Sequence, residues 1–445
     1  MIAICAPAND GNGENSGHVR VYENQSGTWV QIGQDIDGEA AGDLISSVSL
    51  SSDGSIVALG APSNDGNANN AGHTRIFKNE GGTWVQIGQD IDSDGDSDRS
   101  GTSVSLSSNG TIVAIGSRLG NGNGIDSGRV RVYENIDNVW TQINEDINGE
   151  AAGDQAGFDV SLSSDGSIVA VGAPANADNG YISGHVRVYE NKNNVWIQNG
   201  QDIDGEAALN GSGDALSLSC DGSIIAIGAS GNNDNGDDTG HVRVYKNINN
   251  IWIQIGQDIE GEAAFDRSGN SVSLSCDGTI LVIGAPGNSE NGLNSGHARV
   301  YKNQNGTWIQ IGEDIDGELG TSYLGTSVSL SSDGRIVATG AFRKNGDGTI
   351  DIGHVEVYSL SEFLSTEEEV VQFQFSIYPN PASTSVTVEL YQNSVLEKTT
   401  IYNSLGQIIN TSTEITIDTS DLSKGMYILE VTTDQGKASK KLIIE

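Results

Sequence analysis

The chain alternates short apolar runs with polar turns at a fixed pitch, and the stretch from Gly269 to Gly312 shows the unit most completely. Ser271 to Ser275 reads S-V-S-L-S, the period-2 alternation of a strand with one buried face. Asp277-Gly278 follows, a pair suited to a tight hairpin because glycine tolerates positive φ. Thr279 to Ile283 is a largely apolar run, as in a strand covered on both faces. Gly284-Ala285-Pro286 ends it, since proline cannot donate to a ladder. Gly296 to Tyr301 alternates again, Asn305-Gly306 turns the chain, and Thr307 to Ile311 makes a fourth strand. The predicted unit is a four-stranded antiparallel meander.

The unit repeats. Its Asp-Gly or Asn-Gly turn recurs at Asp53, Asn109, Asp165, Asp221, Asp277 and Asp333, in steps of 56 residues. All six tryptophans (Trp29, Trp84, Trp140, Trp196, Trp252, Trp308) fall on strand four. All six histidines (His18, His73, His185, His241, His297, His354) open strand three, and Arg129 takes that place in one further copy. A four-stranded repeat of this length predicts a propeller blade. One meander cannot bury both faces, whereas stacking copies around an axis buries them all.

The pieces GTSVSLSSDG, IVALGAP and GHVRVY resemble the FG-GAP repeats of integrin-α-type β-propellers over residues 1–360. GAP is literal at Gly60-Ala61-Pro62, Gly172-Ala173-Pro174 and Gly284-Ala285-Pro286, and the glycine of FG stands at Gly101, Gly157, Gly269 and Gly325. The resemblance, with seven copies of strand three, implies an all-β, seven-bladed β-propeller. Met1 to Pro7 aligns with Ile56 to Pro62, so the first unit starts within strand two, and the last stops after strand three. The expectation is an N-terminally truncated ring, open or strained where its first and last units meet.

From Phe375 the pattern changes to alternating strands split by turns, which predicts a small C-terminal β-sandwich. Residues 361–374, with Thr366-Glu367-Glu368-Glu369, read as a linker between a propeller domain at 1–360 and a terminal domain at 375–445. Tyr378-Pro379-Asn380-Pro381, Gly406 in YNSLG, Gly425 with Tyr427, and the ending Lys440-Lys441-Leu442-Ile443 resemble the type A C-terminal sorting domain of the Bacteroidetes type IX secretion system. That resemblance implies the type IX machinery as a partner and an extracellular or outer-surface destination. No signal peptide precedes the repeats, which agrees with the expected truncation.

A net charge of −38 argues against nucleic acid, which needs clustered lysine and arginine, and no apolar run is long enough to span a membrane. Cys220 and Cys276 share one repeat position in adjacent units and Cys5 stands elsewhere, so the expectation is small residues in packed places with no pairing enforced. The propeller resemblance implies calcium in the loop between strands one and two. Here that loop is the tight hairpin Ser51 to Ser55, too short to wrap an ion needing six to eight oxygens. Asp92, Asp94 and Asp96 form the one other acidic cluster and are the candidate metal ligands, although a solvated acidic loop reads the same way. No other cofactor is implied. The histidines of separate blades stand too far apart to share one ion, and each is expected to bond its own preceding loop.

The function read from this pattern is binding or adhesion to a glycan or protein. The alternatives are a polysaccharide-degrading propeller enzyme and a structural spacer. Candidate contact residues are Tyr181, Ile125 and Leu293, which follow a recurring Asn-Gly in the loop between strands two and three. A fixed frame with variable tips is how scaffolds carry recognition.

Overall fold

In a computed structural model the chain is all-β, with no helix among the described residues, 1–343, 353–360, 375–390, 395–403, 407–433 and 436–445. It divides into two compact units, Met1–Ser361 and Glu362–Glu445. The linker expected at 361–374 lies outside the described residues.

Seven sheets occur among the described residues of the first unit, and five of them share one plan. In the fifth sheet, Ala215–Leu218, Ile224–Ala229, His241–Asn247 and Trp252–Gln254 pair in sequence order, all antiparallel. A two-residue strand, Ile259–Glu260, then pairs back on the third strand, placing Glu260 opposite His241. The sequence does not announce this fifth strand, because two residues cannot show an alternation. The first sheet begins at Ile2–Ala6 and the last ends at His354–Ser359.

The core lies between sheets. Ile224–Ala229 is buried at every position but the first, as its apolar run requires. Ala170, Val186 and Val188 of the fourth sheet pack with Leu216, Leu218, Ile225, Ile227 and Trp252 of the fifth in one cluster. Each fourth-strand tryptophan after the first also clasps the sheet before it. The Trp252 indole N–H donates to the Asn199 carbonyl at 2.7 Å, and Trp84, Trp140, Trp196 and Trp308 do the same to Ile32, Ile87, Ile143 and Ile255.

The strand one–two hairpins are linked in register. The amides of Ser52, Ser108, Ser164, Cys220 and Cys276 donate to the carbonyls of Ser108, Ser164, Cys220, Cys276 and Ser332 at 2.8–2.9 Å. At the opposite end, a Cβ on Gly60, Gly116, Gly172, Gly228 or Gly284 would overlap the carbonyl oxygen of Gly101, Gly157, Gly213, Gly269 or Gly325 in the next sheet. The glycines of GAP and FG are therefore two halves of one close approach between neighbouring backbones.

That stacking corrects the expectation for the cysteines. Equivalent hairpin positions meet, so Cys220 and Cys276 lie 4.6 Å apart at Cα and form a disulfide across 56 residues of sequence. Cys5 stays free. Reduction, or Cys276→Ser, is expected to lower stability to denaturant by about 2–4 kcal/mol, the usual range for a disulfide. Superimposable guanidinium unfolding curves with and without reductant would contradict this.

The first and last sheets face each other across a cavity of about 510 Å³ lined by Ile2, Ile4, Tyr22, Trp29, Val355 and Val357 among others. The second unit contains a three-stranded sheet (Phe375–Tyr378, Ser385–Leu390, Thr416–Asp418) and a four-stranded one (Ile408–Ser412, Leu396–Tyr402, Gly425–Thr433, Gly436–Ile444). Both contribute to one core, in which Phe375, Val386, Ile401, Leu429, Leu442 and Ile444 are buried.

Candidate functional site

Antiparallel strands reverse at each step, so the two–three loops and the connections into the next sheet emerge at the same end of every sheet. Ile125, Tyr181 and Leu293 stand at this end, 75, 71 and 71 % exposed, more than any other large apolar residue among the described residues. The frame beneath them is held by hydrogen bonds. The Asn179 side-chain amide donates to the carbonyls of Gly205 and Glu206 at 2.8 and 3.1 Å, and Asn123 and Asn235 bond Gly149 and Gly261 likewise. The recurring asparagine therefore staples its loop to the connection that follows, in addition to shaping a turn. The Leu209 amide donates to the Tyr181 carbonyl at 2.8 Å.

This second loop brings residues that sequence reasoning missed. Leu209 and Phe265 occupy one repeat position, are 53 and 58 % exposed, and have φ of 69°. A bulky side chain in the left-handed region costs about 1–3 kcal/mol, and such strain gathers at ligand-binding places. The available signal was their variability: Gly42, Ser97, Gly153, Leu209, Phe265 and Thr321 fill the same position.

At the same end a pocket of about 290 Å³ is lined by Ser46, Pro62, Arg99, Thr102, Arg118 and Phe158. The Arg118 guanidinium lies 5.8 Å from the Phe158 ring centroid, and Arg99 donates to Ser63 Oγ at 2.6 Å. Burial and then the neighbouring Arg99 lower the Arg118 pKa, and neither arginine forms a salt bridge among the described residues. Two cations held together in so acidic a chain make a place for an anionic group.

Two acids also break the repeat on the first strands. Asp159 accepts from Ser103 Oγ and the Leu216 amide, both at 2.7 Å, in the role that serine hydroxyls such as Ser47 and Ser49 play elsewhere. Asp214 accepts from the Ser230 hydroxyl and amide, and burial pushes its carboxyl up to about 7. Backbone and hydroxyl donors hold three of their oxygens; Asp214 Oδ1 is buried without a partner, and the nearby Asp159 adds to the rise of the Asp214 carboxyl.

Among the candidate metal ligands, Asp92 sits opposite His73 on the short fifth strand, with Oδ1 3.8 Å from the ring Nδ1. Asp94 faces Arg129 and Arg131 at 3.2 and 3.4 Å, and Asp96 is exposed. The histidines also differ from the sequence reading. In all but His354, whose Nε2 meets Glu356, the Nδ1 atom faces a carboxylate, as with His18 and Asp35 at 3.6 Å and His73 and Glu39 at 3.7 Å, because the fifth strand, the residues just before it and the preceding sheet bring acids there.

In the second unit, the Asn380 side chain holds the last strand. Its amide donates to the Lys441 carbonyl at 2.8 Å, and its carbonyl oxygen accepts from the Ile443 amide at 2.9 Å. Tyr378 and its neighbours Pro379 and Pro381 are exposed on either side. Lys441 is exposed, and Lys440 lies over the Phe375 ring at 5.4 Å. Gly425 opens its strand at φ 157°, and Gly406 lies outside the described residues.

Comparison with known proteins agrees with this division. Residues 260–301 match the FG-GAP repeat family, and residues 376–445 match the family described as secretion system C-terminal sorting domain. The chain thus carries an FG-GAP repeat and a type IX sorting domain, which directs it to the cell surface or beyond. No curated protein matches it. Solved structures share its fold at low identity. A putative 6-phosphogluconolactonase from Bacteroides uniformis has a TM-score of 0.54 and 15 % identity over 80 % of this chain and 99 % of that one. The periplasmic gluconolactonase PpgL of Pseudomonas aeruginosa gives 0.51 and 14 % over 80 % and 95 %. Hydrazine synthase of Kuenenia stuttgartiensis gives 0.50 and 11 % over 78 % and 91 %. At these identities the likeness is one of fold, and it is a propeller-like fold.

Proposed function

We propose that the chain is an extracellular binding or adhesion protein, a seven-bladed β-propeller carried outward by a β-sandwich sorting domain, and that it contacts a glycan or protein with the end bearing the two–three loops. The observation that carries this reading is the clustering of the three most exposed large apolar side chains at one repeat position, Ile125, Tyr181 and Leu293. Isolated exposed apolar residues are ordinary, but a set repeated at one end of the third, fourth and sixth sheets is what a contact surface offers. Leu209 and Phe265 extend it, and Arg99 with Arg118 add an anion contact at the pocket. Aromatic anchors such as Tyr181 commonly dominate binding energy.

The test is to find a ligand by glycan array, including acidic polysaccharides, and by pull-down from cell-surface extracts. Tyr181, Ile125 and Leu293 are then replaced together by serine. A loss of at least about tenfold in affinity is expected, with an unchanged melting temperature because these side chains are exposed. Full affinity in the folded triple variant would exclude this end as the apolar contact surface.

A further inference from the structure

The histidines that open the third strands leave a set of polar groups that the binding face does not use. His241 is fully buried, and neither ring nitrogen has a hydrogen-bond partner. One ring nitrogen and carboxylate oxygens of Glu206, from the preceding sheet's connection, and Asp234, from its own two–three loop, all lie within 4.8 Å of one another. Glu260, opposite His241 on the short fifth strand, comes within 3.9 Å of Nδ1, and its Oε2 is buried without a partner. Arg243 supplies a positive charge, 3.5 Å from Glu206. Three carboxylates against one guanidinium leave two negative charges uncompensated beside an imidazole with free nitrogens. An imidazole buried with both nitrogens unpartnered is costly, and the carboxylates of Glu206, Asp234 and Glu260 beside it reach solvent in part.

The arrangement recurs one sheet earlier. His185 is 1 % exposed with Nδ1 unpartnered, and it groups with Glu150 and Asp178, and again with Asp202 and Asp204.

The third sheet supplies an internal comparison. Arg129 stands where the other units have histidine, and its guanidinium lies against Asp98, Asp94 and Asp146. In that copy alone the fifth-strand acid is replaced, by Asn148; the loop position of Asp178 and Asp234 is Gly122 there, as it is Gly11 and Gly66 in the first two units. Where the chain places its own cation in the crevice, the fifth-strand carboxylate is replaced by an uncharged amide, while Asp94, Asp98 and Asp146 pair with the guanidinium.

We propose that the crevices around His185 and His241 each bind a divalent transition-metal ion of the zinc or manganese class, held by one imidazole nitrogen and carboxylates from two neighbouring sheets. Imidazole with carboxylate is a ligand set for these metals, whereas calcium takes oxygen ligands. Because the ligands come from adjacent sheets, the ion also ties them together.

The test titrates the full chain with zinc chloride and, separately, manganese and calcium chloride by calorimetry. Metal-soaked crystals are then read for anomalous scattering at the zinc edge. Zinc or manganese is expected to bind more tightly than calcium, with anomalous peaks beside His185 and His241. His241→Arg copies the third sheet's own arrangement, so it should fold while losing one equivalent of metal; adding His185→Arg should remove a second. Asp234→Asn, at an exposed carboxylate, should weaken its site at least about tenfold, since losing even an outer partner of a metal ligand costs 10–100-fold. The proposal is overturned by unchanged stoichiometry in the double variant, by unchanged zinc affinity in Asp234→Asn, by peaks confined to surface acids such as Asp96, or by absence of heat at millimolar metal.

Discussion

Trp252→Ala is expected to lower the stability of the first unit by about 3–5 kcal/mol, the range for truncating a buried aromatic. Trp252 is 3 % exposed and packs between the fourth and fifth sheets with Leu216, Ile225 and Val188. Its indole N–H, backbone amide and carbonyl all reach across to the preceding sheet, at Asn199 and Gln201. Removing the ring leaves a cavity that surrounding strands, fixed in their ladders, cannot fill. It also orphans the Asn199 carbonyl. Trp29 provides the contrast. It lines the cavity between the first and last sheets, and its indole reaches no carbonyl among the described residues. A side chain already beside a void has fewer contacts to lose, so Trp29→Ala should cost no more than about 1–2 kcal/mol. Guanidinium unfolding of the two variants decides the matter. Equal losses would mean that the latch between sheets is not what stabilises the unit.

Deleting residues 436–445 should abolish export. The deleted strand pairs along the whole of Gly425–Thr433 and buries Leu442 and Ile444 in the core of the second unit. Each such side chain contributes about 1.5–3 kcal/mol by burial alone, and a domain this small has only a few kcal/mol to spare. Asn380 and Ala382 would also lose their bonds to the final residues. The sorting domain would then be unfolded when the secretion machinery meets it, and the protein should remain cell-associated and inside. Asn380→Ala breaks two hydrogen bonds and leaves the core intact, so it should reduce export without ending it. Normal amounts of the deletion variant in the culture medium or on the cell surface would sink this account.

The strands and their order could be read from the residues alone. Alternation, Asp-Gly turns and proline stops are local physical signals, and a repeat multiplies each of them, which is why the first four strands of a unit were legible residue by residue. The terminal motifs were legible for a similar reason, since Asn380 and Lys441 belong to short contiguous patterns. What happens between copies could be seen only in three dimensions. The disulfide of Cys220 with Cys276 exists because stacked hairpins bring equal positions together. The fifth strand exists because Ile259 and Glu260 find a free edge on the third strand, and no local propensity marks them. The acids around His241 come from one loop, one short strand and the preceding sheet, which are distant in sequence. Burial and charge at such a place are sums over neighbours, and a one-dimensional pattern carries the terms but not their meeting.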